Sequence, residues 1–170
     1  NISGGIITIG VGSGYIPQGD TLIVGATTWT FAAGKLDRSK TFGVFTSFSG
    51  LETDMVVIIK TASLLNTSDL AGTWYIHGAT GGAVTNGTIE GSIILSSAGA
   101  VTGGSISIPG ELTRSITGGN FSLLADGTLS GFFDVNFVGR ITIQSGRMDQ
   151  SRKKIAFTDD THERLYLLNK

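Results

Sequence analysis

The chain has 170 residues, with 12 Lys+Arg against 13 Asp+Glu, 26 Gly, 2 Pro and no Cys. That charge balance offers no field to hold nucleic acid or an anionic membrane surface, and the missing Cys excludes disulfide staples and thiolate zinc sites. Frequent Gly among abundant Ser and Thr describes a chain that turns often and pairs strands between turns, an all-β class.

The uncharged opening NISGGIITIGVGSGYIPQG, residues 1–19, alternates apolar with small residues and so reads as extended chain rather than a membrane-spanning helix. No basic segment followed by an apolar run opens the chain, so an export signal is not expected within it. Alternation and turn residues place strands near 5–10, 21–25, 28–33, 41–46 and 54–60.

GKLDRSK at 34–40 returns as GRMDQSR at 146–152, 112 residues later. The match runs outward: Trp29-Thr30-Phe31 falls on Ile141-Thr142-Ile143, Phe45-Thr46 on Phe157-Thr158, MVVIIK at 55–60 on LYLLNK at 165–170, and ISGGIITI at 2–9 on ITGGNFSL at 116–123. A repeat of this length outranks local readings. Residues 1–65 are expected to form a partial copy, with five strands, of a complete module at 66–170. In the shared turn Asp37 and Asp149 are expected to accept backbone N–H bonds from residues two ahead, as turn builders. Five strands without their opening partners leave two bare sheet edges, which either add to the later module's sheet as one large β domain or pair between chains. A homodimer through residues 1–65 is the expectation of the two, because a closed later module offers no free edge.

In the later copy, strands are expected near 72–77, 88–96, 100–108, 116–124, 128–137, 139–145, 154–158 and 164–169. GSIILSSAGAVTGG at 91–104 matches GNFSLLADGTLSGF at 119–132, each an alternating strand, a Gly turn and a second alternating strand. The expected architecture is an antiparallel meander closing as an eight-stranded, barrel-like C-terminal module, preceded by the partial copy.

Gly72-Thr73-Trp74 opens the first of those eight strands, and a Gly-x-Trp at that place resembles the calycin group, lipocalins and avidins included. The resemblance implies that Trp74 closes one barrel end against a basic residue from a late strand, for which Arg164 is the candidate, and that a small apolar ligand or lipid is carried inside. The chain also resembles the Gly/Ser/Thr-rich tandem β repeats of exported bacterial proteins, on runs such as GSIILSSAGAVTGG.

The two His, 77 and 162, are too far apart in sequence for local metal-ligand or dyad spacing. Strand parity puts His77 on the solvent face, opposite Trp74 and Ile76. Asp159, Asp160, His162 and Glu163 gather in one hairpin loop, the one cluster that could hold a cation, and read as a charged solvent turn. Arg152-Lys153-Lys154 reads as a solvated strand edge. Adjacent Phe132-Phe133 and Leu167-Leu168 each require one side chain to point outward. No phosphate loop, dinucleotide fingerprint or nucleophile elbow occurs. Neither cofactor nor catalysis is therefore expected, and no membrane insertion. The expected function is that of a non-enzymatic, exported structural or adhesive unit of a larger tandem-repeat protein. The alternative is a calycin-like carrier of a small apolar ligand.

Overall fold

The computed structural model describes residues 7–8, 14–18, 21–24, 27–36, 38, 41–49, 52–60, 64–80, 87–110, 112–160 and 164–170, with side chains described at 38, 41–44 and from 57 onward within those ranges. Asp37, His162 and Glu163, and the side chains of Phe45 and Phe48, lie outside the described residues. The chain divides into two compact units, Asn1–Ile58 and Ile59–Lys170. The division falls earlier than 65/66 because the connecting segment belongs to the second unit: Leu65 is buried in its core, and the Gln150 N–H donates to the Lys60 carbonyl at 2.9 Å.

The first unit holds one six-stranded sheet in sequential order: β1 (Ile7–Thr8), β2 (Gly14–Gln18), β3 (Thr21–Val24), β4 (Thr27–Leu36), β5 (Phe42–Ser49) and β6 (Glu52–Ile59). β2 was not expected. Its sequence GYIPQ carries Pro17, which lowers strand propensity, and its short alternation merges with the uncharged run before it.

The second unit is a closed antiparallel barrel of eight strands: β7 (Gly72–Thr80), β8 (Gly87–Leu95), β9 (Val101–Ser107), β10 (Arg114–Leu123), β11 (Thr128–Val135), β12 (Gly139–Met148), β13 (Lys154–Asp159) and β14 (Arg164–Asn169). Each strand pairs with the next, and β14 pairs back onto β7. A one-turn 3-10 helix, Thr67–Leu70, precedes β7 and is capped by Asn66, whose side chain accepts the Ser68 N–H while the Asp69 carboxylate accepts the Asn66 N–H.

Alternation along the strands sends one face inward, and the inward face is almost wholly apolar. Ile76, Ile89, Ile93, Phe121, Phe133, Ile155, Phe157 and Leu168 are all buried. Phe121 on β10 meets Phe157 on β13 with ring centroids 6.3 Å apart, and Phe133 on β11 meets Tyr166 on β14 at 6.2 Å. These strands are not neighbours in the barrel, so the rings span its interior. Phe157 and Tyr166 stack at 4.7 Å and complete an aromatic plug.

Glycines sit opposite the largest inward residues. Gly131 faces Phe121 and Gly119 faces Phe133 across β10–β11, and Gly104 faces Ile93 and Gly91 faces Ile106 across β8–β9. At each of these glycines a Cβ would collide with the neighbouring backbone, so strand coiling is concentrated where a side chain is missing. The ladder between β9 and β10 is short: Arg114 pairs with Ile106, Ser115 with Ser105, and Ala100 forms a bridge to Asn120 further along.

Two ladders in different units share their register. In β4–β5 the pairs are Phe31 with Ser47, Ala33 with Thr46, Gly34 with Phe45, Lys35 with Val44 and Leu36 with Gly43, with a bulge between Phe31 and Ala33. In β12–β13 they are Ile143 with Asp159, Ser145 with Thr158, Gly146 with Phe157, Arg147 with Ala156 and Met148 with Ile155, with a bulge between Ile143 and Ser145.

The turn after β12 is built by Asp149, which is fully buried. Its carboxylate accepts the Lys153 and Lys154 N–H groups at 3.1 and 3.0 Å and the Ser151 hydroxyl at 2.5 Å. The residue two ahead therefore contributes its hydroxyl, and the backbone donors come from four and five ahead. Asp149→Ala should lower stability by about 2–3 kcal/mol, since it strips a charged acceptor from buried donors. Urea unfolding would check this, and a loss under about 0.5 kcal/mol would show that water replaces the carboxylate.

Candidate functional site

Antiparallel pairing of β7 with β14 decides what surrounds Trp74. Arg164 lies opposite Thr80 and Asn169 opposite Tyr75, so the start of β14 meets the end of β7. Trp74 and Arg164 therefore stand at opposite ends of the barrel, and the expected pair does not form. Lys170, just past the end of β14, takes the place instead: its Nζ lies 5.1 Å from the Trp74 ring centroid and donates to the Asp69 carbonyl at 3.2 Å. The indole is fully buried and donates through Nε1 to the Leu70 carbonyl at 2.7 Å. The 3-10 turn that supplies both carbonyls also packs against β10, where Thr67 Oγ1 accepts the Leu123 N–H at 3.4 Å. This end is closed by structure.

The other end carries the candidate site. Along β13, Ile155, Phe157 and Asp159 all point inward, so Asp159 is buried at 1% exposure rather than placed in a solvated turn. Arg164 reaches it with Nη1 3.4 Å from Oδ2. Tyr166, two residues beyond Arg164, is buried within the same layer, and its hydroxyl meets no hydrogen-bond partner within bonding geometry among the described residues. Thr80 completes the layer from β7. Burial first, and then the Asp159 charge beside it, push the Tyr166 phenol above its ordinary value, with Arg164 pulling the other way. Tyr166 is thus a neutral phenol beside a buried ion pair.

Of the four residues expected in a charged solvent turn, Asp159 faces the interior and Asp160 is exposed on the turn. Among the described residues no group of three or more His, Cys, Asp or Glu side chains comes together. His77 is exposed on the outer face, as its parity requires. No protein-family model matches the chain, and no curated protein matches it. No helix among the described residues is long and apolar enough to cross a membrane.

The outer rim of this end is aromatic and cationic. Phe133 is inside and Phe132 outside, with the Arg140 guanidinium 3.7 Å over the Phe132 ring and its Nε donating to Asp134 at 2.9 Å. That hydrogen bond holds the Asp134 carboxyl below the usual carboxylate range. Phe137, at the tip of the β11–β12 turn, is 85% exposed with φ of 62°, and Arg114 lies 5.3 Å from its ring. Leu168 faces the core, while Leu167 on the opposite face is half-buried.

Asp159, Tyr166 and Lys170 were missed or misplaced by sequence reasoning, and strand parity could have found all three. Inward Ile155 and Phe157 imply inward Asp159, and the first and eighth strands of a meander must run antiparallel. The two ends should also differ in energetic terms. Arg164→Ala removes a cation from a buried carboxylate and should cost about 3 kcal/mol, whereas Lys170→Ala removes an exposed contact with the indole and should cost about 1 kcal/mol. Thermal melts of the two variants would decide, and equal shifts would refute the ordering.

Proposed function

We propose that the chain is a non-enzymatic, exported β module that serves as a structural or adhesive unit of a larger tandem-repeat protein. One observation carries the choice over a carrier: the aromatic plug spans the barrel, with Phe121 on Phe157 and Phe133 on both Phe157 and Tyr166 in ring contact across strands that are not neighbours. A barrel that carries an apolar ligand keeps its interior open, and one filled by side chains is a rigid body. The matching registers of β4–β5 and β12–β13 support reading residues 1–58 as a partial copy of the module. The open order of the first sheet supports association of chains through its edges.

The calycin likeness favours the second reading, a carrier of a small apolar ligand. Its support is the closed meander barrel with Trp74 held beneath a basic residue from the end of the last strand. Titration with a fluorescent fatty-acid analogue separates the two. The structural reading expects no saturable binding at micromolar concentration. Stoichiometric binding that is lost in Ile93→Trp would establish the carrier.

A further inference from the structure

The barrel interior turns polar in one layer, at the end opposite Trp74. Strand parity carries the inward faces of β7, β10, β13 and β14 to this mouth, and the residues they deliver are Thr80, Arg114, Asp159 and Arg164. One inward step deeper the same strands give Gly78, Ile116, Phe157 and Tyr166, of which only Tyr166 carries a polar atom. Among these residues two guanidinium cations stand against one carboxylate, so hydrogen-bond donors outnumber acceptors.

The ion pair does not use up that excess. Arg164 meets Asp159 through Nη1 alone at 3.4 Å, looser than a close charge-assisted bond of about 2.7–2.9 Å. Tyr166 is fully buried with its ring stacked on Phe157, and its hydroxyl stands by Asp159 and Arg164 without a hydrogen-bond partner among the described residues. A buried hydroxyl with no partner weakens a fold, and here an acceptor arriving from outside would satisfy it. β10 and β14 stand four strands apart in a ring of eight, so Arg114 and Arg164 enter the mouth from opposite walls. A barrel of this size is just wide enough for side chains to meet across it, as Phe133 and Tyr166 do below. Gly139, at the inward position where β12 begins between those walls, has nothing within 4 Å of where a Cβ would stand.

We propose that this mouth is a binding site for a small monocarboxylate, held between Arg114 and Arg164 with the Tyr166 hydroxyl donating to one of its oxygens. The single excess positive charge matches one carboxylate, whereas a phosphate dianion would leave a negative charge opposed by Asp159. The aromatic plug fixes the depth: the acid group stops at Tyr166, and the rest of the ligand points outward past Phe137, whose exposed ring lies 5.3 Å from the Arg114 guanidinium. The site lies above the plug and needs neither the adhesive nor the carrier reading.

The test titrates sodium acetate into the full, isotope-labelled chain at neutral pH and constant ionic strength, with sodium chloride and sodium phosphate as comparison arms, and follows the amide resonances of β10 and β14. Saturable acetate shifts are expected at Arg114, Arg164 and Tyr166 with a dissociation constant of about 1–10 mM, weakened roughly tenfold in Tyr166→Phe and in Arg114→Gln. Without ligand, Tyr166→Phe should melt no lower than the parent chain, because it removes a hydroxyl that has no partner to lose. Acetate is too short to enter the interior, so its binding leaves the fatty-acid titration an independent measurement. Any of four results would overturn the proposal. Acetate shifts that do not saturate by about 100 mM would mean that water alone serves the hydroxyl. Equal shifts with chloride would mean unspecific screening, and tighter binding of phosphate would mean that the site does not select a monocarboxylate. A Tyr166→Phe variant that melts lower, or that binds acetate as the parent does, would show a hydroxyl with a structural role only.

Discussion

Replacing Phe133 with alanine is expected to lower the unfolding free energy by about 3–5 kcal/mol, the range for truncating a fully buried aromatic side chain. Its ring meets Phe121, Phe157 and Tyr166, whose strands lie on both sides of β11, so no single neighbour can move in to fill the space. The barrel wall is tied by backbone ladders all the way round and cannot collapse inward as a helix pair can. Denaturant unfolding followed by aromatic fluorescence would measure the loss. A change below about 1 kcal/mol would mean that the interior is already open around Phe133, and would move the balance toward the carrier reading.

Gly131→Val is the second large effect, and it acts through the backbone. Gly131 has φ of 137°, a conformation that side-chain-bearing residues avoid, and a Cβ there would meet the Asn120 carbonyl and the Phe121 Cα. Strain and overpacking together should cost on the order of 3 kcal/mol or more. Gly118→Ala is the matched control: it lies on the adjacent strand with nothing near its Cβ position and should change stability by less than about 1 kcal/mol. Equal effects at the two positions would show that close backbone approach does not set the cost at Gly131.

The barrel strands were legible because alternation and turn chemistry agree there: Asp126-Gly127 sits between alternating runs, and Asp126 accepts the Thr128 N–H at 2.8 Å in the turn it forms. Strand ends were less so. β12 was expected to stop at 145 but runs on to Met148, because a bulge between Ile143 and Ser145 shifts the alternation that marks a strand in sequence. β2 escaped because Pro17 and Gly14 read as punctuation. The site was legible only in its members. Trp74, Arg164 and Asp159 were all singled out, but partnership depends on which strand ends coincide, and that follows from closure of the sheet rather than from any local pattern.

Closure has a kinetic consequence. Seven of the eight ladders join strands consecutive in the chain, whereas the β14–β7 ladder joins residues about ninety positions apart. Local hairpins can form early and independently, but the last ladder must overcome the loop entropy of nearly the whole unit, and the aromatic plug cannot assemble until β13 and β14 have arrived. During synthesis β7, the first strand of the barrel, waits with an unpaired edge until β14 has left the ribosome. The slow step of folding should therefore be sensitive to substitutions in β14 and nearly indifferent to those in the β10–β11 hairpin turn.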